Sequence, residues 1–173
     1  MPLRRRRLPR SDVDYLWTPW RYHYITAPDA PSGCVFCAAA AGADDRATFI
    51  VHRAKRNFII LNRYPYTNGH VMIVPFDHAA SLGVLDDETL MEMTKLARET
   101  EKHLRAIYNP DGMNIGMNLG KAAGAGIAGH LHLHVLPRWT GDTNFMTVTG
   151  ETRVLPEDLP MTWERLRAAF GGQ

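Results

Sequence analysis

The chain reads as an α+β domain: an antiparallel sheet of about five or six strands, one long helix and a short C-terminal helix. Three observations predict it. Apolar and β-branched runs of strand length fall between turn signals. A single stretch from Asp86 switches to the helical period. No internal repeat, low-complexity block or long linker divides the 173 residues, so residues 13–173 form one domain behind a basic, disordered tail at 1–12.

The elements follow in order. "WTPWRYHYI" (17–25) is aromatic-rich and packs as an arm or dimer contact rather than a substrate cage. "ATFIVHR" and "NFIILNRYP" are two strands broken by "RAKR", and "TNGH" turns into a third, "HVMIVP". Leu90, Met93, Ala97, Thr100, Leu104 and Ile107 then recur at spacings of three and four, the stripe of an amphipathic helix. Asp86, Asp87 and Glu88 put acids where the helix dipole favours them, and "NPDG" ends the helix. "GMNIGMNLG" is the next strand, followed by a Gly/Ala loop and the strand "HLHLHVLPRW". "NFMTVTG" makes a sixth short strand, and "MTWERLRAAF" the terminal helix.

Composition narrows the setting. No apolar run approaches the ~20 residues of a membrane span. "MPLRRRRLPR" has the charge of a signal-peptide start but no apolar segment behind it, which argues for a cytoplasmic protein. Five arginines lie in those ten residues; the rest holds 15 Lys/Arg against 18 Asp/Glu. Nothing aromatic interleaves the arginines, so there is no case for a nucleic-acid partner.

Both cysteines sit in "CVFC", Cys34 and Cys37. A C-x2-C pair in a reducing compartment is read as metal or redox before disulfide. A thioredoxin-like site wants the pair opening a helix after a strand. The Pro- and Gly-rich "APDAPSG" before it suits a zinc knuckle better.

In "HLHLHVLPRW", period two puts His130, His132 and His134 on one face and Leu131, Leu133 and Val135 on the other. The row is open to three readings: ligands of a catalytic zinc, a nucleophile attacking phosphorus with a neighbouring imidazole assisting, or histidines tolerated on a half-wet face. Strict alternation of three, in a chain with eight, speaks against the last. The preceding "GAGIAG" matches G-x-G-x-x-G but leads into a strand rather than a helix, so it is no dinucleotide fingerprint. "GKAAG" lacks the Gly-Lys-Ser/Thr of a Walker A loop. A side-chain-poor loop still presents backbone N–H groups to an anion. His23, His52 and His103 read as surface or packing residues, and Met91 and Met93 as core. Arg138 and Trp139 either reach a second nucleotide or phosphate, or make a strand-end contact.

Together these stretches resemble the histidine-triad (HIT) superfamily of nucleotidyl hydrolases and transferases. His130 to Pro137 matches its H-φ-H-φ-H-φ-φ motif (φ, apolar), and "NRYPYTNGHVMIVP" its N-x-x-P-x-x-x-G-H-x-φ-φ-x-P block. "NLGKAAGAGIAGHLHLHVLPRWTGDTNFM" is similar to bacterial and archaeal members near the fragile-histidine-triad and diadenosine polyphosphate phosphorylase branch. The likeness covers about residues 15–150. It implies a HIT-like fold, a homodimer with joined sheets, and a purine nucleotide or dinucleoside polyphosphate as substrate.

The implied reaction cleaves the α-phosphate bond of a substrate of the diadenosine tri- or tetraphosphate type through a covalent nucleotidyl-His132 intermediate. The resemblance also admits a phosphate-dependent diadenosine tetraphosphate phosphorylase, a nucleoside phosphoramidase, and a non-enzymatic nucleotide-binding or signalling module. His134 would orient or neutralise phosphate, and His70 would support the row. Asn62 would meet ribose, Asn118 phosphate or nucleophile, and the Gly124 and Gly126 N–H groups would line the phosphate pocket. Many relatives carry Gln, Ser or Thr four residues before the first histidine, where this chain has Gly126; the acceptor, water or inorganic phosphate, stays open. Zinc-containing members imply a structural zinc on Cys34, Cys37, His78 and His130, and Mg2+ would accompany the nucleotide.

Overall fold

The computed structural model describes residues 33–142 and 155–172. Five strands, β1 (Ile50–Arg53), β2 (Asn57–Leu61), β3 (Val71–Pro75), β4 (Gly112–Met117) and β5 (Leu133–Arg138), form one sheet in the order β1-β2-β3-β5-β4. Every neighbouring pair is antiparallel. The helices are α1 (Val35–Ala41), α2 (Asp45–Thr48), α3 (Asp87–Tyr108) and α4 (Leu159–Ala169).

The runs "NFIIL" and "VMIVP" are buried throughout, and apolar but for Asn57, because both faces of β2 and β3 are covered. Ile59, Leu61, Val71 and Ile73 pack with Met93, Leu96, Ala97 and Leu104 of α3. On the opposite face Phe58, Ile60, Met72 and Val74 pack with Phe36 of α1. The two layers leave β5 one dry face and one face on which polar groups can gather.

Helix α3 forms as its pattern predicts. The Asp86 carboxylate accepts the Thr89 N–H at 2.7 Å, and Asn109 closes the helix in the left-handed region. Met93, Ala97, Thr100 and Leu104 are buried, whereas Leu90 and Ile107 lie half-buried at the ends of the stripe. Met91 does not join the core expected of it: it is 58% exposed, because residues two apart point about 200° apart on a helix.

Other boundaries move for local reasons. The first predicted strand loses Ala47 and Thr48 to α2, whose start is capped by Asp44 accepting the Ala47 N–H. The second ends at Leu61, because the Asn62 side chain takes the Tyr64 N–H at 2.9 Å and turns the chain. The terminal helix begins two residues early, with Asp158 accepting the Met161 N–H and Pro160 in the first turn. The cysteine segment is a helix from Val35, with Cys34 at its N-cap, and not an open turn. The histidine strand pairs only from Leu133; Leu131 N–H instead reaches the Ala79 carbonyl beyond β3. The basic tail (1–12), the aromatic arm (17–25) and the sixth strand (144–150) lie outside the described residues.

Candidate active site

The alternation in β5 divides its residues as period two requires. Leu131, Leu133 and Val135 enter the core beneath α3. His132 and His134 line a cleft over the other face, together with Asn62, Tyr64 and Tyr66 after β2 and Asn118 after β4. Gly124, Gly126 and Ile127 of the glycine loop, with Phe36 and Met72, complete the wall. Every residue nominated for substrate therefore borders one cleft. His70 lies behind it, 1% exposed, against His134.

Hydrogen bonding fixes the state of each imidazole. His132 Nδ1 lies 2.9 Å from the His130 carbonyl, which can only accept, so the ring's proton is on Nδ1 and Nε2 keeps its lone pair. Burial lowers the His132 pKa from its usual value, more than the bond to His130 raises it, and the ring is neutral near pH 7. His70 Nδ1 accepts the Tyr66 backbone N–H at 3.2 Å, and its Nε2 lies 2.9 Å from His134 Nδ1. With neutral rings, His70 must donate from Nε2, and the His134 proton is then on Nε2. The His132 ring thus keeps a lone pair on Nε2 and the His134 ring a proton on its own Nε2. The two ring centroids are 4.9 Å apart.

The backbone before His70 is seated by a glycine. Gly69 has φ +74°, and a Cβ there would meet Leu104 Cδ2 at 2.8 Å and Tyr108 Cε2 at 3.0 Å. Only glycine lets the turn lie this close to α3. Asn62 N–H donates to the His70 carbonyl at 3.0 Å, which ties the Asn62 turn to the His70 backbone.

In the glycine loop, Gly124 departs from the expectation. Gly124 is left-handed at φ +88°, but its N–H already donates to the Lys121 carbonyl at 2.9 Å. It shapes the wall rather than offering its N–H to an anion. Arg138 is held by Asp142 at 2.6 and 2.7 Å and by Asn114 at 2.8 Å, the strand-end contact of the two readings. The sequence reading missed Phe36, Tyr64, Tyr66, Met72 and Ile127 as cleft residues. Tyr64 and Tyr66 sit inside the N-x-x-P block, and Phe36 inside C-x2-C, which was the available signal.

Beside the cleft, the ligand atoms of Cys34, Cys37, His78 and His130 all lie within 4.8 Å of one another. Cys34 Sγ is 3.2 Å and Cys37 Sγ 3.5 Å from His130 Nδ1, and Cys37 Sγ is 3.3 Å from His78 Nδ1. A tetrahedral ion with metal–sulfur and metal–nitrogen bonds of about 2.3 and 2.0 Å has S···N edges near 3.5 Å. His130 Nε2 donates to the Pro75 carbonyl at 2.9 Å, which leaves the Nδ1 lone pair turned to the two sulfurs. The donor set fits a metal. The cysteines do open a helix, so the feature that first separated metal from redox chemistry does not hold. The two imidazoles at ligand distance make that separation instead. Burial, then the Cys34 side chain, pushes the Cys37 thiol pKa up. Among the described residues no helix is long and apolar enough to cross a membrane.

Comparison with known proteins bears on the family and the fold. Residues 44–141 match the family model described as "HIT domain". The chain is 37% identical to an AP-4-A phosphorylase of Mycobacterium tuberculosis, over 95% of this chain and 88% of that protein. A Zn-bound histidine triad family protein from Mycobacterium smegmatis superposes with a TM-score of 0.65 at 31% identity, covering 80% of this chain and 94% of that one. A hypothetical histidine triad nucleotide-binding protein from Sulfolobus tokodaii gives 0.63 at 25%, covering 80% and 92%.

Proposed function

The chain belongs to the HIT domain family, and on that premise we propose that it is a nucleotidyl transferase acting on diadenosine tetraphosphate or a close relative. The observation that carries the proposal is the bond from His132 Nδ1 to the His130 carbonyl, which leaves Nε2 unprotonated on the wall of the cleft. Nε2 attacks the α-phosphorus, the anhydride P–O bond breaks, and ATP leaves. An acceptor oxygen then attacks the adenylyl-His132, and the P–N bond breaks to restore the imidazole. His134, with its proton placed on Nε2 by His70, donates to a phosphate oxygen in both steps. Asn62 meets the ribose, and Asn118 with the Gly124–Gly126 wall contains the phosphates.

Similarity to an AP-4-A phosphorylase over nearly the whole chain favours inorganic phosphate as the acceptor, giving ADP and ATP. Water as acceptor is the second reading, and Gly126, which offers no side chain to the acceptor, leaves room for it. Any Mg2+ enters on the polyphosphate. Zinc is the metal we assign to Cys34, Cys37, His78 and His130. Four protein donors leave no open position, so its contribution is structural, clamping α1 to the histidine row. A cytoplasmic setting suits such ligands because it keeps thiols reduced. We also propose a homodimer, with a second copy at the β4 edge, where Ile115 is 48% exposed.

Product identity tests the acceptor. Diadenosine tetraphosphate with phosphate should give ADP plus ATP, and turnover should fall when phosphate is omitted. AMP plus ATP at a rate indifferent to phosphate overturns the phosphorylase reading in favour of hydrolysis.

A further inference from the structure

Helix α1 has only seven residues, too few to persist on intrinsic propensity. It is pinned at both ends by different means. At the C-terminal end the Arg53 guanidinium of β1 donates to the Ala40 carbonyl at 2.7 Å and the Gly42 carbonyl at 2.9 Å, and pairs with Asp45 at 2.8 Å. At the N-terminal end the ties are Cys34 and Cys37, through their contacts with His130 and His78. The Cys34 side chain makes no capping hydrogen bond to the helix.

Phe36 stands between the two cysteines and is 2% exposed. Its ring lies 5.4 Å from the His130 ring and 5.1 Å from the His132 ring, so it touches both the metal-ligand histidine and the nucleophile. It also lines the cleft with Met72 and Ile127 and belongs to the apolar layer beneath it. Cys37 follows Phe36 directly and only Val35 separates Phe36 from Cys34, so the ring cannot keep its place if the N-terminal end moves.

We infer that Phe36 is a positioning residue that couples metal loading of the Cys34–Cys37–His78–His130 cluster to the nucleotide cleft and the seat of His132. The inference rests on the metal and nucleotide readings above. A bound metal would tie Cys34 and Cys37 to the histidine row and so hold the first turn of α1 where Phe36 lies against His132. Metal loss releases that turn while Arg53 still holds the far end, so the cleft loses a wall without the domain unfolding. Metal supply or thiol chemistry would thereby set how well the cleft binds.

The test reads AMP affinity by calorimetry, with zinc-loaded and chelator-stripped protein. Stripping should weaken AMP binding to the wild type about tenfold, within the roughly 5–150-fold usual for coupled sites. Loaded Phe36→Ala should bind AMP as weakly as stripped wild type, and stripping it further should cost less than about twofold if the coupling runs through this ring. Phe36→Met, which refills the volume, should restore most of the affinity and the zinc response. Because coupling is reciprocal, AMP should tighten zinc binding to the wild type, in chelator competition, by the factor that stripping removes. That last arm needs no variant to fold. Stripping that leaves wild-type affinity unchanged, or that weakens Phe36→Ala as much as wild type, overturns the inference and leaves the proposed reaction standing. Failure of loaded wild type to bind AMP at all overturns both.

Discussion

His70 Nε2 and His134 Nδ1 lie 2.9 Å apart, and the Tyr66 backbone N–H held by His70 Nδ1 decides which of them carries the proton. A buried ring outside the cleft thus sets the tautomer of a ring inside it.

His70→Ala should lower kcat for diadenosine tetraphosphate by about 10- to 100-fold, the scale of losing an orienting partner, while KM changes little. His70→Gln, whose amide N–H can stand where Nε2–H stood, should recover part of that loss. A change confined to KM would contradict the tautomer argument. Steady-state kinetics on the two variants decide it.

Gly69→Ala should destabilise the domain by about 2–4 kcal/mol, since it adds a left-handed backbone penalty to a clash in a packed core. The Cβ would press on Leu104 and Tyr108 and push the His70 turn off α3. Urea denaturation gives the stability. Turnover should fall more than the folded fraction does, because His70 moves with the turn.

Glu92 ties α3 to the β1–β2 turn, accepting the Arg56 and Asn57 backbone N–H groups at 2.8 Å and Asn57 Nδ2 at 2.9 Å. Burial alone would raise its pKa, but the Asn57 amide and the backbone N–H groups of Arg56, Asn57 and Lys55 outweigh it and hold the pKa below the usual value. A depressed carboxylate adds stability above its unfolded pKa, and that stability is lost as pH falls through the folded value. Glu92→Gln should therefore lower Tm at pH 7, and wild type should lose that margin over the variant as pH falls below about 4. A Tm difference that persists unchanged at pH 3 would contradict the assignment.

Cys37→Ser should reduce bound zinc well below one ion per chain and lower Tm by about 5–10 °C, as a loss of roughly 2–3 kcal/mol does in a chain of this size. Metal content and a thermal melt on the same sample check it. Full zinc occupancy in the variant would remove Cys37 from the ligand set.

Much of this site was legible because its chemistry is written in local patterns. Period two at His130–Val135 placed the row and its apolar counterface correctly although regular pairing begins only at Leu133. The stripe from Leu90 to Ile107 located α3, and its error, Met91, came from treating neighbours on the chain as neighbours on a face. What was not legible depends on distant contacts. The helix after Cys34 follows a Pro- and Gly-rich lead, and the Arg53 guanidinium, from β1, donates to the carbonyls at its C-terminal end. Gly124 gives up its N–H to Lys121 within a turn that no residue spacing announced. Phe36 and Met72 reach the cleft only because the sheet is covered on both faces.

The central claim is that His132 is the nucleophile, and the most direct measurement looks for the covalent intermediate. Stoichiometric protein is mixed with diadenosine tetraphosphate without phosphate, quenched in alkali, where a phosphoramidate survives, and examined by intact mass and peptide mapping. The account predicts one adenylyl group per chain on His132, discharged as ADP when phosphate is added before the quench, and no adduct in His132→Ala. An adduct on another residue, or full turnover by His132→Ala, would contradict it.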